Sequence, residues 1–141
     1  MLAEAFLDTN VLVYAAYSKP DEEEKRVIAA QLLTRERYAL STQVLIEFVN
    51  ATMQKRKPGL PLDEVRDWLN DFSAAPVISA DDRLVVEALD TAQRYKIGFF
   101  DGLIVAAAMR AGAKTLYSED LNDGQRYGSV TVVNPFKSAT H

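Results

Sequence analysis

Ala5-Phe6-Leu7-Asp8-Thr9-Asn10-Val11-Leu12-Val13 is the stretch that decides how this chain folds. Phe6 and Leu7 form a short apolar run that stops on a carboxylate, and a second apolar segment follows at once. The pattern predicts a strand buried on both faces, then a polar break at Asp8-Thr9-Asn10, then a helix from Val11 to Tyr17. An acid at the C-terminal end of a central strand is well placed for function, because ligands of open α/β sheets sit just outside those ends. The same residues also read simply as a helix cap, with Asp8 or Thr9 accepting from a main-chain N–H. One acid does not separate the two readings.

Composition narrows the chemistry. A chain of 141 residues fits one domain and buries roughly 70% of its unfolded surface, so a single unit is expected over residues 1–136, with a tail over 137–141. Hydrophobic residues at 48% and charged residues at 26% are ordinary for a soluble protein, and no apolar run reaches membrane-spanning length. The N-terminus carries Glu4 and Asp8 where a secretory signal would be basic and then apolar, so the cytoplasm is the expected compartment. The absence of cysteine excludes disulfides, zinc thiolates and a thiol nucleophile. The single histidine is the terminal His141, which excludes histidine pairs and Ser-His-Asp triads within the chain. Chemistry must therefore rest on carboxylates. A net charge of -4 opposes a nucleic-acid binder built on a large basic face, unless bound divalent cations reverse the local sign.

Along the chain, Asp21 to Glu24 supply negative charge to a helix start and Arg35 and Arg37 lie at its end. Tyr38-Ala39-Leu40 predicts a second strand, and Ser41-Thr42 caps a third helix whose Val44, Leu45, Phe48, Val49 and Met53 share one face, with Glu47 at its border. Pro58-Gly59-Leu60-Pro61 breaks the chain. Val65, Trp68, Leu69 and Phe72 follow helical spacing after a cap near Asp63. Pro76-Val77-Ile78 predicts a third strand. Asp81 or Asp82 caps a fifth helix with Leu84, Val85, Ala88, Leu89 and Ala92 inward and a stop at Gly98. Phe99-Phe100-Asp101-Gly102 opens a sixth helix, Lys114 to Tyr117 a fourth strand, residues 118–124 a polar loop, and Val130 to Val133 the last strand. Strands separated by helical segments imply a parallel sheet layered with helices.

In such a layout strand C-termini and helix N-termini share one side of the sheet, so Asp8, Asp101 and Asp120 are expected to converge, with Glu47 and Asp123 as further acids. Each alone also reads as a cap or turn former. Clustered carboxylates raise one another's pKa unless a cation joins them. A hard divalent ion with oxygen ligands would do so, and would also activate water and polarise a phosphate.

Asp8-Thr9-Asn10, Ser41 to Glu47, Phe100 to Ala108, and Ser118-Glu119-Asp120-Leu121-Asn122-Asp123-Gly124 resemble the successive acidic motifs of PIN-domain ribonucleases, particularly VapC-type toxins. The resemblance covers nearly the whole chain. It implies a three-layer α/β/α sandwich with a mainly parallel central sheet, a Mg²⁺ or Mn²⁺ site, and metal-dependent endonucleolytic cleavage of RNA. Carried over by position, it makes Asp8, Glu47, Asp101 and Asp120 the catalytic acids. Asp8, Asp101, Asp120 and Asp123 become the metal ligands, Asp123 as an additional or outer one, and Thr9, Asn10 and Ser118 orient a ligand or water. Lys55, Arg56, Lys57, Lys96 and Arg126 are candidate phosphate contacts, each equally readable as solvated surface. The resemblance further implies a homodimer and a cognate antitoxin that places an arginine among the carboxylates. A phosphoryl-receiving domain fits less well, since adjacent acids after the first strand and a lysine near the last are missing. A non-catalytic PIN-like module that binds RNA or protein is the other alternative.

Overall fold

The computed structural model describes residues 3–138. Its six-stranded sheet has the order β3-β2-β1-β4-β6-β5. Here β1 is Ala5–Leu7, β2 Tyr38–Ser41, β3 Val77–Ile78, β4 Thr115–Tyr117, β5 Arg126–Tyr127 and β6 Val130–Val133. Every pairing is parallel except that of β5 with β6. The helices are α1 (Thr9–Ala16), α2 (Glu23–Arg35), α3 (Thr42–Asn50), α4 (Leu62–Phe72), α5 (Asp82–Tyr95) and α6 (Phe99–Arg110). They flank the mostly parallel sheet as an α/β/α sandwich. Among the described residues no helix is long and apolar enough to cross a membrane.

β1 lies inside the sheet, and its three residues are fully buried, which is why it is apolar without alternation. The chain runs from β1 to β2 on one side, whereas β4 flanks β1 on the other. The crevice between β1 and β4 is thus the switch point at which an open α/β sheet binds ligands. Main-chain bonds carry the ladder into the residues beyond the strands: Asp8 N–H donates to Tyr117 O at 3.0 Å, and Ser118 N–H to Val133 O at 3.1 Å.

Several local features differ from the sequence reading. α1 starts at Thr9, not Val11, with Asp8 as its N-cap. The acidic run begins as a 3-10 turn (Pro20–Glu22) before α2. α3 passes into a π-helical stretch, Ala51–Lys55. Pro61 is the N-cap of α4, and Asp63 sits in the first turn. Of the residues expected inward on α5, Leu84, Ala88 and Ala92 form its buried face, whereas Val85 and Leu89 are 43% and 58% exposed. α5 ends through Lys96 in the left-handed region at φ 57°, while Gly98, the expected stop, is the N-cap of α6. β5 was not foreseen, since a two-residue edge strand has no periodicity to read. Of the tail expected over 137–141, residues 139–141, including His141, lie outside the described residues.

α5 and α6 form a tight pair because Gly102 has no side chain. A Cβ there would stand 2.7 Å from the Ala88 carbonyl oxygen and 3.0 Å from the Ala92 Cβ. In an exposed helix Gly→Ala gains about 1 kcal/mol. Here Gly102→Ala is expected to destabilise the protein by roughly 1–3 kcal/mol through overpacking. Urea unfolding measures this, and unchanged or increased stability would contradict the packing account.

Candidate active site

Asp8 is 8% exposed, and it sits at the end of β1 where α1 begins. Its Oδ1 accepts from Thr9 N–H at 2.7 Å. Its Oδ2 accepts from the Ser118 hydroxyl at 2.7 Å and from Asn10 Nδ2 at 3.4 Å. The donors are an amide N–H, a hydroxyl and a side-chain amide, none of them cationic. Burial raises the Asp8 pKa to about 6, against the lowering effect of the Ser118 and Thr9 bonds, while the Asp120 and Glu47 charges push it further up. The cap reading and the pocket reading are therefore both true of this residue: it caps α1 and shares the field of two other acids.

Glu47 reaches the same place from α3. Its Oε1 accepts from the Thr9 hydroxyl at 3.1 Å. Gln43, one turn earlier, donates through Nε2 to Glu47 Oε2 at 3.5 Å and to the Phe100 carbonyl at 3.3 Å. That amide ties α3 to the first turn of α6, next to Asp101. Gln43 is buried, and its Oε1 has no hydrogen-bond partner. Sequence reasoning passed over Gln43, although its i, i+4 spacing to Glu47 was a usable signal.

Asp120 comes from the loop after β4. Its carboxylate accepts from Asn10 Nδ2 at 3.3 Å, and its N–H donates to the Ser118 hydroxyl oxygen at 3.1 Å. Asn10 Nδ2 thus bridges Asp8 and Asp120. Asp101 is exposed in the first turn of α6. Gly98 is the N-cap, so capping does not account for Asp101. Its charge, after burial, helps push up the Tyr127 phenol, and no hydrogen bond joins it to Asp8. Asp123 turns to the C-terminal segment, where it accepts from Asn134 N–H at 2.8 Å and Lys137 Nζ at 3.1 Å. Asn134 and Lys137 together hold its pKa below the ordinary carboxylate value.

Thr9, Asn10, Glu47 and Asp120 line a cleft of about 410 Å³ whose wall also includes Asn50, Lys55 and Arg56. Arg56 pairs with Glu22 at 3.1 Å and stacks over the Tyr17 ring at 5.4 Å. Lys57 lines a neighbouring depression with Lys19 and Arg26. Lys96 closes α5, and Arg126 lies exposed in β5. One opening therefore joins acids to cations, the charge pattern that suits a phosphodiester approaching an acid-held metal.

Among the described residues no three acidic side chains are near enough to share one ion in this arrangement. The donor set nevertheless suits a hard cation: it is all oxygen, and the Asn10 amide stands between the Asp8 and Asp120 carboxylates as a weak positive partner. Asp8 and Asp120 are the pair that would hold an ion there.

A PIN-domain sequence profile matches residues 5–125. Among curated proteins no significant match is found. Among solved structures, a toxin–antitoxin complex from Klebsiella pneumoniae is similar at TM-score 0.66 and 18% identity, covering 93% of this chain and 97% of that one. VapC20 from Mycobacterium tuberculosis, a sarcin–ricin loop cleaving toxin, is similar at TM-score 0.60 and 18% identity, with 82% and 89% covered. VapBC2 from Rickettsia felis, bound to a promoter DNA fragment, is similar at TM-score 0.61 and 22% identity, with 91% and 96% covered. At these identities the likeness to the solved structures is one of fold.

The Asp8 shift has a pH consequence. A carboxyl whose folded pKa is raised from 3.8 to about 6 contributes stability that is complete below 3.8 and lost as pH rises through 6. Without divalent metal, Asp8 is expected to make the protein less stable at pH 8 than at pH 4 by on the order of 3 kcal/mol. Asp8→Asn should remove that slope and melt higher than wild type at pH 8. Melting curves across pH in chelator test it, and an unchanged slope in the variant would contradict the burial account.

Proposed function

The chain belongs to the PIN-domain family, and from that premise we propose that it is a Mg²⁺- or Mn²⁺-dependent ribonuclease, the toxin of a toxin–antitoxin pair. The observation that carries this is the cleft in which Glu47 and Asp120, beside buried Asp8, face Lys55 and Arg56. With no usable histidine or cysteine, hydrolysis there depends on carboxylates and a cation.

In this mechanism Asp8 and Asp120 would hold the ion, Asp101 from the first turn of α6 would join them as a ligand only when the ion is bound, and Asp123 would take an outer role through the loop it anchors. When bound, the ion supplies Lewis acidity toward the phosphate and makes water a better nucleophile at neutral pH. Lys55 neutralises the substrate phosphate at the cleft wall, and Arg56, held by Glu22 and Tyr17, extends the positive wall. Thr9 and Ser118 fix the carboxylates, and the Asn10 amide, which stands between Asp8 and Asp120, would orient substrate or water. Glu47 takes up the proton of the attacking water. Water forms the new P–O bond, the P–O3′ bond breaks, the departing O3′ takes a proton from solvent, and the products carry 5′-phosphate and 3′-hydroxyl.

The Klebsiella and Rickettsia structures are toxin–antitoxin assemblies, which supports a cognate antitoxin here. An arginine entering the acidic cleft would bind a carboxylate in bidentate fashion and replace the ion's charge. Exposed Val85, Val86 and Leu89 on α5, with Ile46 and Phe100, support self-association as a homodimer.

Cleavage of RNA by pure protein should vanish in chelator and return with Mn²⁺. Asp101→Asn should lower single-turnover cleavage by at least about a hundredfold, as loss of a metal ligand forfeits several kcal/mol of transition-state stabilisation, while its metal-free melting temperature holds. Full cleavage in EDTA, 2′,3′-cyclic phosphate ends, or an Asp101→Asn variant with unchanged rate would each count against the assignment.

A further inference from the structure

We propose that Glu119, Lys25 and Tyr14 form a positioning clamp that fixes Asp120 at the mouth of the cleft. The inference rests on the nuclease assignment above and concerns three residues that have no place in its chemistry.

Asp120 needs outside support. It lies in an irregular loop, it is exposed, and among the described residues its carboxylate touches one donor, Asn10 Nδ2 at 3.3 Å. Its direction is therefore set by the backbone on either side of it. Glu119 is the residue that ties that backbone down. Its N–H donates to Asn10 Oδ1 at 3.1 Å. Its side chain reaches α1 and α2: Oε1 accepts from the Tyr14 hydroxyl at 2.7 Å and Oε2 from Lys25 Nζ at 2.6 Å. Lys25 also donates to the Tyr14 oxygen at 3.3 Å and stands 4.9 Å from the Tyr14 ring centroid. That ring packs edge-on against buried Phe136 at 4.9 Å.

The clamp is stiffer than a surface ion pair. The Lys25 and Glu119 side chains are 21% and 25% exposed, and each has a second bond to Tyr14, so geometry is shared among three groups. Burial and the Glu119 carboxylate push the Tyr14 phenol up, so it keeps the proton it donates. On the other flank Ser118 bonds Asp8 and accepts the Asp120 N–H. Asp120 is thus joined to Asp8 through Ser118 and to α2 through Glu119. Tyr14 also lines the cleft, so the clamp borders the space the substrate would enter.

The test compares the full chain as wild type, Glu119→Gln, Lys25→Met and Lys25→Arg, measuring Mn²⁺ affinity by calorimetry, RNA cleavage, and urea stability. Glu119→Gln and Lys25→Met should each weaken Mn²⁺ about tenfold and lower kcat by a similar factor, with KM for RNA unchanged, while Lys25→Arg restores most of both. In an Asp120→Asn background Glu119→Gln should change Mn²⁺ affinity no further, since the clamp acts through Asp120. Reduced urea stability with wild-type Mn²⁺ affinity would make the triad a mere structural staple and overturn the proposal, as would additive losses in the Asp120→Asn background. If wild type itself neither binds Mn²⁺ nor cleaves RNA, the nuclease assignment fails and the clamp with it. If wild type does both and Glu119→Gln matches it, the clamp alone fails.

Discussion

The structure turns on one buried carboxylate. Asp8 sits at the C-terminal end of an inner strand, desolvated, with Asp120 and Glu47 raising its pKa further. Two short hydrogen bonds, from Thr9 N–H and the Ser118 hydroxyl, fix its orientation without neutralising it. A group so placed favours either a proton or a cation. The surrounding polar residues make sense in that light: Asn10 lies between Asp8 and Asp120, Thr9 between the Asp8 carboxylate and Glu47, and Ser118 between Asp8 and the Asp120 loop.

The sheet delivers this arrangement. β1 and β4 run parallel as neighbours, so the first residues past their ends, Asp8 and Ser118, meet across the switch point although 110 residues separate them. α3 starts where β2 ends, with the Ser41 hydroxyl accepting Val44 N–H at 3.3 Å, and this directs Glu47 toward Thr9. α6 is drawn to the same edge by Gln43 and packs on α5 through Gly102. Rigid elements thereby carry the acids, while one irregular loop carries Asp120 and Asp123.

Much of the fold was legible in the sequence, and for identifiable reasons. The unbroken apolar run of β1, the Ser41 and Asp81 caps, and the apolar face of α3 are local signals. Misreadings arose where an apolar residue meets solvent, as at Val85 and Leu89, or where an element is too short to show a period, as in β5. Topology pointed to Asp8, Asp101 and Asp120 at one sheet edge, and the structure sets Asp120 and Glu47 beside Asp8 while Asp101 stays exposed on α6 with no bond to them. What sequence could not show is pairing at long range. Lys25 and Glu119 are 94 residues apart, and each reads locally as a solvated charge. Asp123 likewise looked like one more acid beside Asp120, yet it is engaged by Lys137 and Asn134. Gln43 gave a helical spacing to Glu47, but its bond to the Phe100 carbonyl required the third dimension.

In the proposed mechanism a divalent cation competes with the proton for the Asp8 carboxylate. Calorimetric titration with Mn²⁺ in buffers of differing ionisation enthalpy counts the protons released per ion bound. With the Asp8 pKa at about 6, binding should release about half a proton at pH 6 and almost none at pH 8, and the Asp8→Asn variant should show no such pH dependence. Mn²⁺ binding at pH 6 with no proton release, or the same release from Asp8→Asn, would contradict the claim.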